Sequence, residues 1–200
     1  MNLPTEKQCL NYFVEYKVPL NIRQHCLKVQ EVAVFLATKV QQSERAIDLV
    51  LVERLALLHD LFKMVAIKEF GAGPHKDAVI TKEEVEFWKG LRKKYAGMYE
   101  GDVAFHIFKN TFPEFAETLR RVSNPRHENP TWEELIVHYA DWRVFQNNVV
   151  PLDERLAYLR KQYPRDESAW AAYTEKIKHH EKMIMKKAQI NPNDLEKLHG

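Results

Sequence analysis

The chain has 200 residues, enough for one domain that buries most of the surface its unfolded form exposes, with room for an extension. Hydrophobic residues make up 45% and charged residues 29%, an ordinary globular balance, and the formal net charge of +2 does not favour bulk nucleic-acid binding, which needs a strong basic excess. Cys9 and Cys26 form neither a disulfide framework nor a CxxC zinc pattern, the N-terminus lacks the apolar core of a secretory signal, and no stretch reaches the ~18 apolar residues of a membrane span, so a cytoplasmic location with no membrane partner is expected.

Only six glycines occur, and apolar residues recur with a period near 3.6 almost throughout, which predicts an all-α fold. Thr5 caps a first helix running toward Lys17, and Val18-Pro19 breaks it, because the residue before proline resists helix. A second helix spans about Asn21 to Gln41, with Ile22, Cys26, Val29, Ala33, Leu36 and Val40 on its apolar side. Ser43 is the expected cap of a third helix that continues to about Ile67. Gly71-Ala72-Gly73-Pro74 is the clearest loop signal. Thr81 and Glu84 form a capping box for a helix to about Tyr95, and helical runs come next around Asp102–Asn110 and Pro113–Val122. A second capping box, Thr131 with Glu134, opens a helix to about Asn147. Pro151 begins another that ends at Tyr163-Pro164, and a final amphipathic helix covers roughly Asp166–Gln189. Residues 1–165 are expected to form the domain, and 166–200 a helical extension that packs on it or on a partner, a second copy included.

Four polar residues sit where the pattern calls for apolar ones. His59 and Asp60 lie inside the third run, among Leu51, Leu55, Leu58 and Phe62. Burying two adjacent ionisable groups is costly unless something compensates them, and a metal ion is a strong compensator for imidazole and carboxylate. His25 borders the apolar stripe of the second helix, and Asp141 lies between Val137 and Phe145 in that of a later one. Singly, each reads most simply as a satisfied core or boundary residue; together, on three helices of one small core, they point to a shared site.

The order His25, His59-Asp60, Asp141 resembles the H…HD…D signature of the HD superfamily of metal-dependent phosphohydrolases. The local contexts are similar too. Ala56-Leu57-Leu58-His59-Asp60-Leu61-Phe62-Lys63 resembles the family's A-L-L-H-D-x-x-K segment, and Tyr139-Ala140-Asp141-Trp142-Arg143-Val144 resembles its last motif. Val149 to Leu156 resembles the segment after that motif in small stand-alone members. The resemblance covers about residues 18–163. It implies a helical bundle around one divalent metal held by His25, His59, Asp60 and Asp141. Two imidazoles and two carboxylates suit Mn²⁺, Fe²⁺, Co²⁺, Ni²⁺ or Zn²⁺ better than Mg²⁺, which favours oxygen. The implied reaction is hydrolysis of a phosphoester, with a nucleotide or related small phosphate ester as the preferred substrate class.

Further candidates surround that set. Lys63 shares a helix face with the dyad, where it can hold a phosphate or orient Asp60; Asp60 itself can also accept a proton. His106 is a candidate for touching the leaving group or donating a proton. His75, in the glycine-rich loop, and Arg126, in the loop before the Asp141 helix, are candidates for binding substrate, arginine being suited to phosphate. Arg143 points elsewhere and reads as a structural ion pair, His138 as structural, and His179-His180 as surface. The H-D-x-x-E-D segment of alarmone hydrolases and the Gly-Tyr-Pro motif of cyclic-dinucleotide hydrolases do not occur. The competing reading is a metal-binding helical module that senses a nucleotide or partner with little or no turnover.

Overall fold

Capping chemistry sets where most of the helices begin. The computed structural model describes residues 1–43, 46–67, 79–124, 128–163 and 166–198, and within them ten α-helices and one two-stranded hairpin. Thr5 opens α1 (Glu6–Glu15), Thr81 opens α5 (Lys82–Lys94) and Thr131 opens α8 (Trp132–Arg143), each through a capping box in which hydroxyl and N3 side chain satisfy each other's free backbone N–H. Asp166 caps α10 (Glu167–Ala188) through the Ala169 N–H. Helix α2 (Leu20–Gln41) starts directly after Pro19, α7 (Pro113–Val122) on a proline, and α9 (Leu152–Gln162) after Pro151, positions where the missing N–H costs nothing. The last described turn, Pro192–Lys197, is 3-10 helix.

Three expectations need correction. The third helix is shorter at both ends. Asp48, not Ser43, caps it, its carboxylate accepting from the Leu51 N–H at 3.0 Å, and α3 (Leu49–Leu58) stops one residue before His59. The chain then tightens into i→i+3 turns, Leu61 to Leu58 and Lys63 to Asp60, before the single-turn α4 (Lys63–Ala66). The apolar period runs on through that turn because Leu61, Phe62, Met64 and Val65 are buried as well, so periodicity alone shows no break. Helix α8 ends at Arg143 rather than near Asn147, and β1 (Val144–Phe145) pairs antiparallel with β2 (Asn148–Val149). Finally, α6 (Glu100–Phe108) begins two residues early and takes in Gly101.

Helices α2, α3 and α8 pack on one another and form the centre, with α7 against α3 and α8, and α6 against α7. The core is Val29, Val32, Ala33, Leu36, Leu55, Leu58, Ile136, Val137 and Ala140, with Phe115 and Leu119 below. Helix α10 packs back on α2 and α8, and Ser43 Oγ donates to the Lys187 carbonyl at 3.0 Å, tying the end of α10 to that of α2. None of the described helices is long and apolar enough to cross a membrane.

Gly101 allows α6 to lie against the end of α7. A Cβ there stands 3.0 Å from Ser123 Cβ and 3.1 Å from the Arg120 carbonyl oxygen, tighter than most packed contacts, and neither neighbour is the far end of a flexible side chain that could easily give way. Gly101→Ala is therefore expected to destabilise the fold by about 1–3 kcal/mol, as overpacking does. Urea unfolding measures this, and an unchanged midpoint contradicts the packing.

Candidate metal centre

The central helices each deliver one part of the site. Helix α2 presents His25, one helical turn from Ile22 and Val29 on its buried side. The turn that ends α3 presents His59 and Asp60, and the last turn of α8 presents Asp141. One ring nitrogen each from His25 and His59 and a carboxylate oxygen of Asp60 all lie within 4.8 Å of one another, and this buried group can hold a metal ion. Asp141 adjoins both histidines: its Oδ1 lies 3.0 Å from His25 Nε2 and 3.7 Å from His59 Nε2. Asp60 Oδ2 is 3.9 Å from His59 Nε2.

Main-chain carbonyls fix the proton on each imidazole. His25 Nδ1 is 3.0 Å from the Gln146 carbonyl oxygen and His59 Nδ1 is 2.7 Å from that of Ala56. A carbonyl only accepts, so both Nδ1 atoms donate, and a ring without a second proton turns an Nε2 lone pair toward the carboxylates. Acceptors then face acceptors, which is repulsive unless a positive charge, a proton or a cation, sits among them. His59 Nε2 is buried and has no hydrogen-bond partner, since 3.7 Å to Asp141 is too long for one. The donor set passes the chemical test for a metal: two oriented imidazoles with second-side hydrogen bonds, plus carboxylates. Neighbouring ligand atoms around a first-row ion stand about 3.0–3.4 Å apart, so a modest contraction is needed.

The support for this geometry comes from residues that the sequence pattern does not mark. Gln146, first residue of the β1–β2 turn, is held at φ 57°, in the left-handed region that glycine prefers. Such strain persists where the surroundings demand it, and here the same residue's carbonyl orients His25. Ser123 Oγ donates to the His59 carbonyl at 3.1 Å and steadies the turn after α3. On the other side of Asp60, Lys63 Nζ lies 3.3 Å from Asp60 Oδ1 and 3.2 Å from Glu100 Oε1. Glu100 is 5% exposed, and sequence reasoning passes over it because an acid beside a glycine reads as a solvent-facing helix start.

Electrostatics follow from this crowding. Burial works against a charged His59 ring, but Asp60 and then Asp141 outweigh it and raise its pKa to about 9. Burial likewise opposes ionisation of Asp141, yet the hydrogen bond from His25 and the nearness of His59 hold its carboxyl well below the usual range. Asp60 is lowered against burial by Lys63 and His59, and Lys63 is raised against burial by Asp60 and Glu100. Burial raises Glu100, with Lys63 opposing. Burial also pushes the Cys26 thiol well up, so it stays protonated and offers no thiolate.

The remaining candidates lie apart from this cluster or beyond the described residues. His106 is exposed on α6, with its Nδ1 3.4 Å from Lys109 Nζ, and the structure does not bring it to the cluster. His75, with its glycine-rich loop, and Arg126 lie outside the described residues. His180 corrects the surface expectation: it is buried, its ring 6.2 Å from that of His138 where α10 meets α8. Burial holds His138 down to about 4 against the pull of Asp141, and burial with Lys176 holds His180 down to about 4.

The two kinds of histidine make opposite contributions to stability. His138 and His180 resist protonation when folded, so stability is lost as pH falls from the ordinary 6.5 toward 4. His59 without metal holds its proton more tightly when folded, so its contribution is complete below 6.5 and is lost as pH rises through about 9. Urea unfolding in chelator is expected to give a stability maximum near pH 6.5, and a steady rise from pH 7 to 9 contradicts the raised His59 value. No family model, curated protein or solved structure matches the chain.

Proposed function

We propose that the chain is a divalent-metal-dependent phosphohydrolase of the HD superfamily, acting on a nucleotide or related small phosphate ester. The observation that carries the reading is the buried, partnerless His59 Nε2 beside a second Nε2 and two carboxylates, with both rings locked as Nδ1–H donors. His25, His59, Asp60 and Asp141 would hold the ion; Mn²⁺, Fe²⁺, Co²⁺, Ni²⁺ and Zn²⁺ suit two nitrogens and two carboxylates, Mg²⁺ less so. When bound, such an ion supplies a Lewis acid that makes water a competent nucleophile near neutral pH and offsets charge developing on phosphorus oxygens.

The chain's own residues do the rest. Gln146 and Ala56 keep the two imidazoles aimed, and Asp60 keeps one oxygen on Lys63 while the other faces His59. Lys63 spends two of its three N–H donors on Asp60 and Glu100, and with 33% of its side chain exposed it retains one for a substrate phosphoryl oxygen. His25 and His59 are buried and Asp60 nearly so, which keeps bulk water off these charge interactions and strengthens them. Metal analysis of the purified protein followed by a phosphoester panel with Mn²⁺, Co²⁺ or Ni²⁺ tests the reading. Turnover that tracks metal content supports it, and a metal-loaded protein inert toward the whole panel overturns the hydrolase in favour of a metal-binding sensor module.

A further inference from the structure

Glu100 is the most deeply buried carboxylate near the site, and nothing in the proposed reaction uses it. It is drawn inside because Gly101 brings α6 hard against the end of α7. One oxygen accepts from Lys63 and the other, Oε2, is buried without a hydrogen-bond partner. Lys63 and the Tyr99 hydroxyl offset only part of the cost of burying this carboxylate, and its placement calls for a compensating role.

Charge supplies one. Imidazole binds a metal as the neutral ring, so the charges left to meet an ion are Asp60, Asp141 and Glu100 against the single ammonium of Lys63, two negative in sum and the complement of a divalent cation. Remove Glu100, and Lys63 pairs with Asp60 alone, drawing charge from a proposed ligand and leaving one negative charge to meet two positive ones. We propose that Glu100 is a positioning residue that holds Lys63 off Asp60 and sets the site's charge for a divalent ion. This rests on the metal reading above and adds to it a residue that need not touch the ion.

The test is isothermal titration of Mn²⁺ into the full-length protein and its Glu100→Gln, Lys63→Met and double variants, with thermal unfolding as a check on folding. Glu100→Gln is expected to bind Mn²⁺ about 10- to 100-fold more weakly, the size of effect that groups behind metal ligands produce. Lys63→Met, which leaves the carboxylates unshared, binds at least as tightly as wild type. The double variant restores two negative charges and recovers most of the lost affinity, a rescue that a purely structural Glu100 does not give. Unchanged binding in Glu100→Gln, or no recovery in the double variant, overturns the inference while leaving the metal site standing. If Glu100→Gln does not fold, Lys63→Met decides: weaker binding than wild type overturns the inference. A wild-type protein that binds no Mn²⁺, Co²⁺, Ni²⁺ or Zn²⁺ overturns the metal reading and this inference with it.

Discussion

His59→Ala is expected to lose tight Mn²⁺ binding and, with it, any phosphoester hydrolysis, while remaining folded by far-ultraviolet circular dichroism. The substitution removes an Nε2 that is both buried and unpartnered, and leaves Asp60 and Asp141 close together with His25 and Lys63 to compensate them. Loss of a single electrostatic donor in an active site costs about 10²–10³ in rate, and a metal supplies both water activation and charge stabilisation, so the fall should reach about three orders of magnitude or more. His106→Ala gives the contrast. Its exposed ring is paired with Lys109 rather than with the cluster, so metal affinity should stay within about twofold, the range of surface substitutions. Retained Mn²⁺ affinity in His59→Ala, measured by calorimetry, contradicts the assigned centre.

The second large effect lies at Arg143, which is 1% exposed and uses its whole guanidinium. Nε donates to the Val150 carbonyl at 2.8 Å, Nη1 to the Tyr139 hydroxyl at 2.8 Å and Nη2 to the Pro192 carbonyl at 3.2 Å, with Glu181 and Glu196 at 3.6 and 3.5 Å. Tyr139 passes the connection on to Glu181 at 2.6 Å. One side chain thus ties α8, the hairpin's exit, α10 and the 3-10 turn. Arg143→Ala strips the Val150 and Pro192 carbonyls of their donor and leaves Glu181 and Glu196 without their cation; breaking a buried pair from one side costs about 3–5 kcal/mol, and the partial exposure of both acids puts this case at the low end. For a chain of this size, about 2–4 °C per kcal/mol places the Tm drop near 10 °C. Arg143→Lys should rescue little, because three donors on one point cannot replace a planar fork. Since the Val150 bond also anchors the hairpin that carries the Gln146 carbonyl, metal affinity should fall as well. A Tm within about 2 °C of wild type contradicts the network.

Arg143 also shows what a sequence can and cannot say. Its offset from Asp141 is enough to read it as an ion pair, and the ion pair is there; which acids it meets is illegible, because Glu181 and Glu196 lie far along the chain. The capping boxes at Thr81 and Thr131 are legible because the signal is local. The convergence of His25, His59 and Asp60 is legible because each interrupts an apolar stripe, and stripes face one another in a helical core. The break after Leu58 is not, since a tight turn with buried side chains keeps the apolar rhythm without glycine or proline. The hairpin after α8 escapes for a related reason: two-residue strands carry almost no pattern, and its turn uses Gln146 at positive φ where glycine would have announced it. His180 reads as a surface residue and Glu100 attracts no reading at all, because polar character alone does not reveal that α10 and α6 turn those positions inward.

The most direct test is anomalous diffraction from crystals soaked in Mn²⁺ or Co²⁺. A single anomalous peak about 2.0–2.2 Å from His25 Nε2, His59 Nε2 and carboxylate oxygens of Asp60 and Asp141 is the predicted result. A peak elsewhere, or none at this centre with His59 Nε2 protonated and bonded to Asp141, contradicts the four-ligand metal centre.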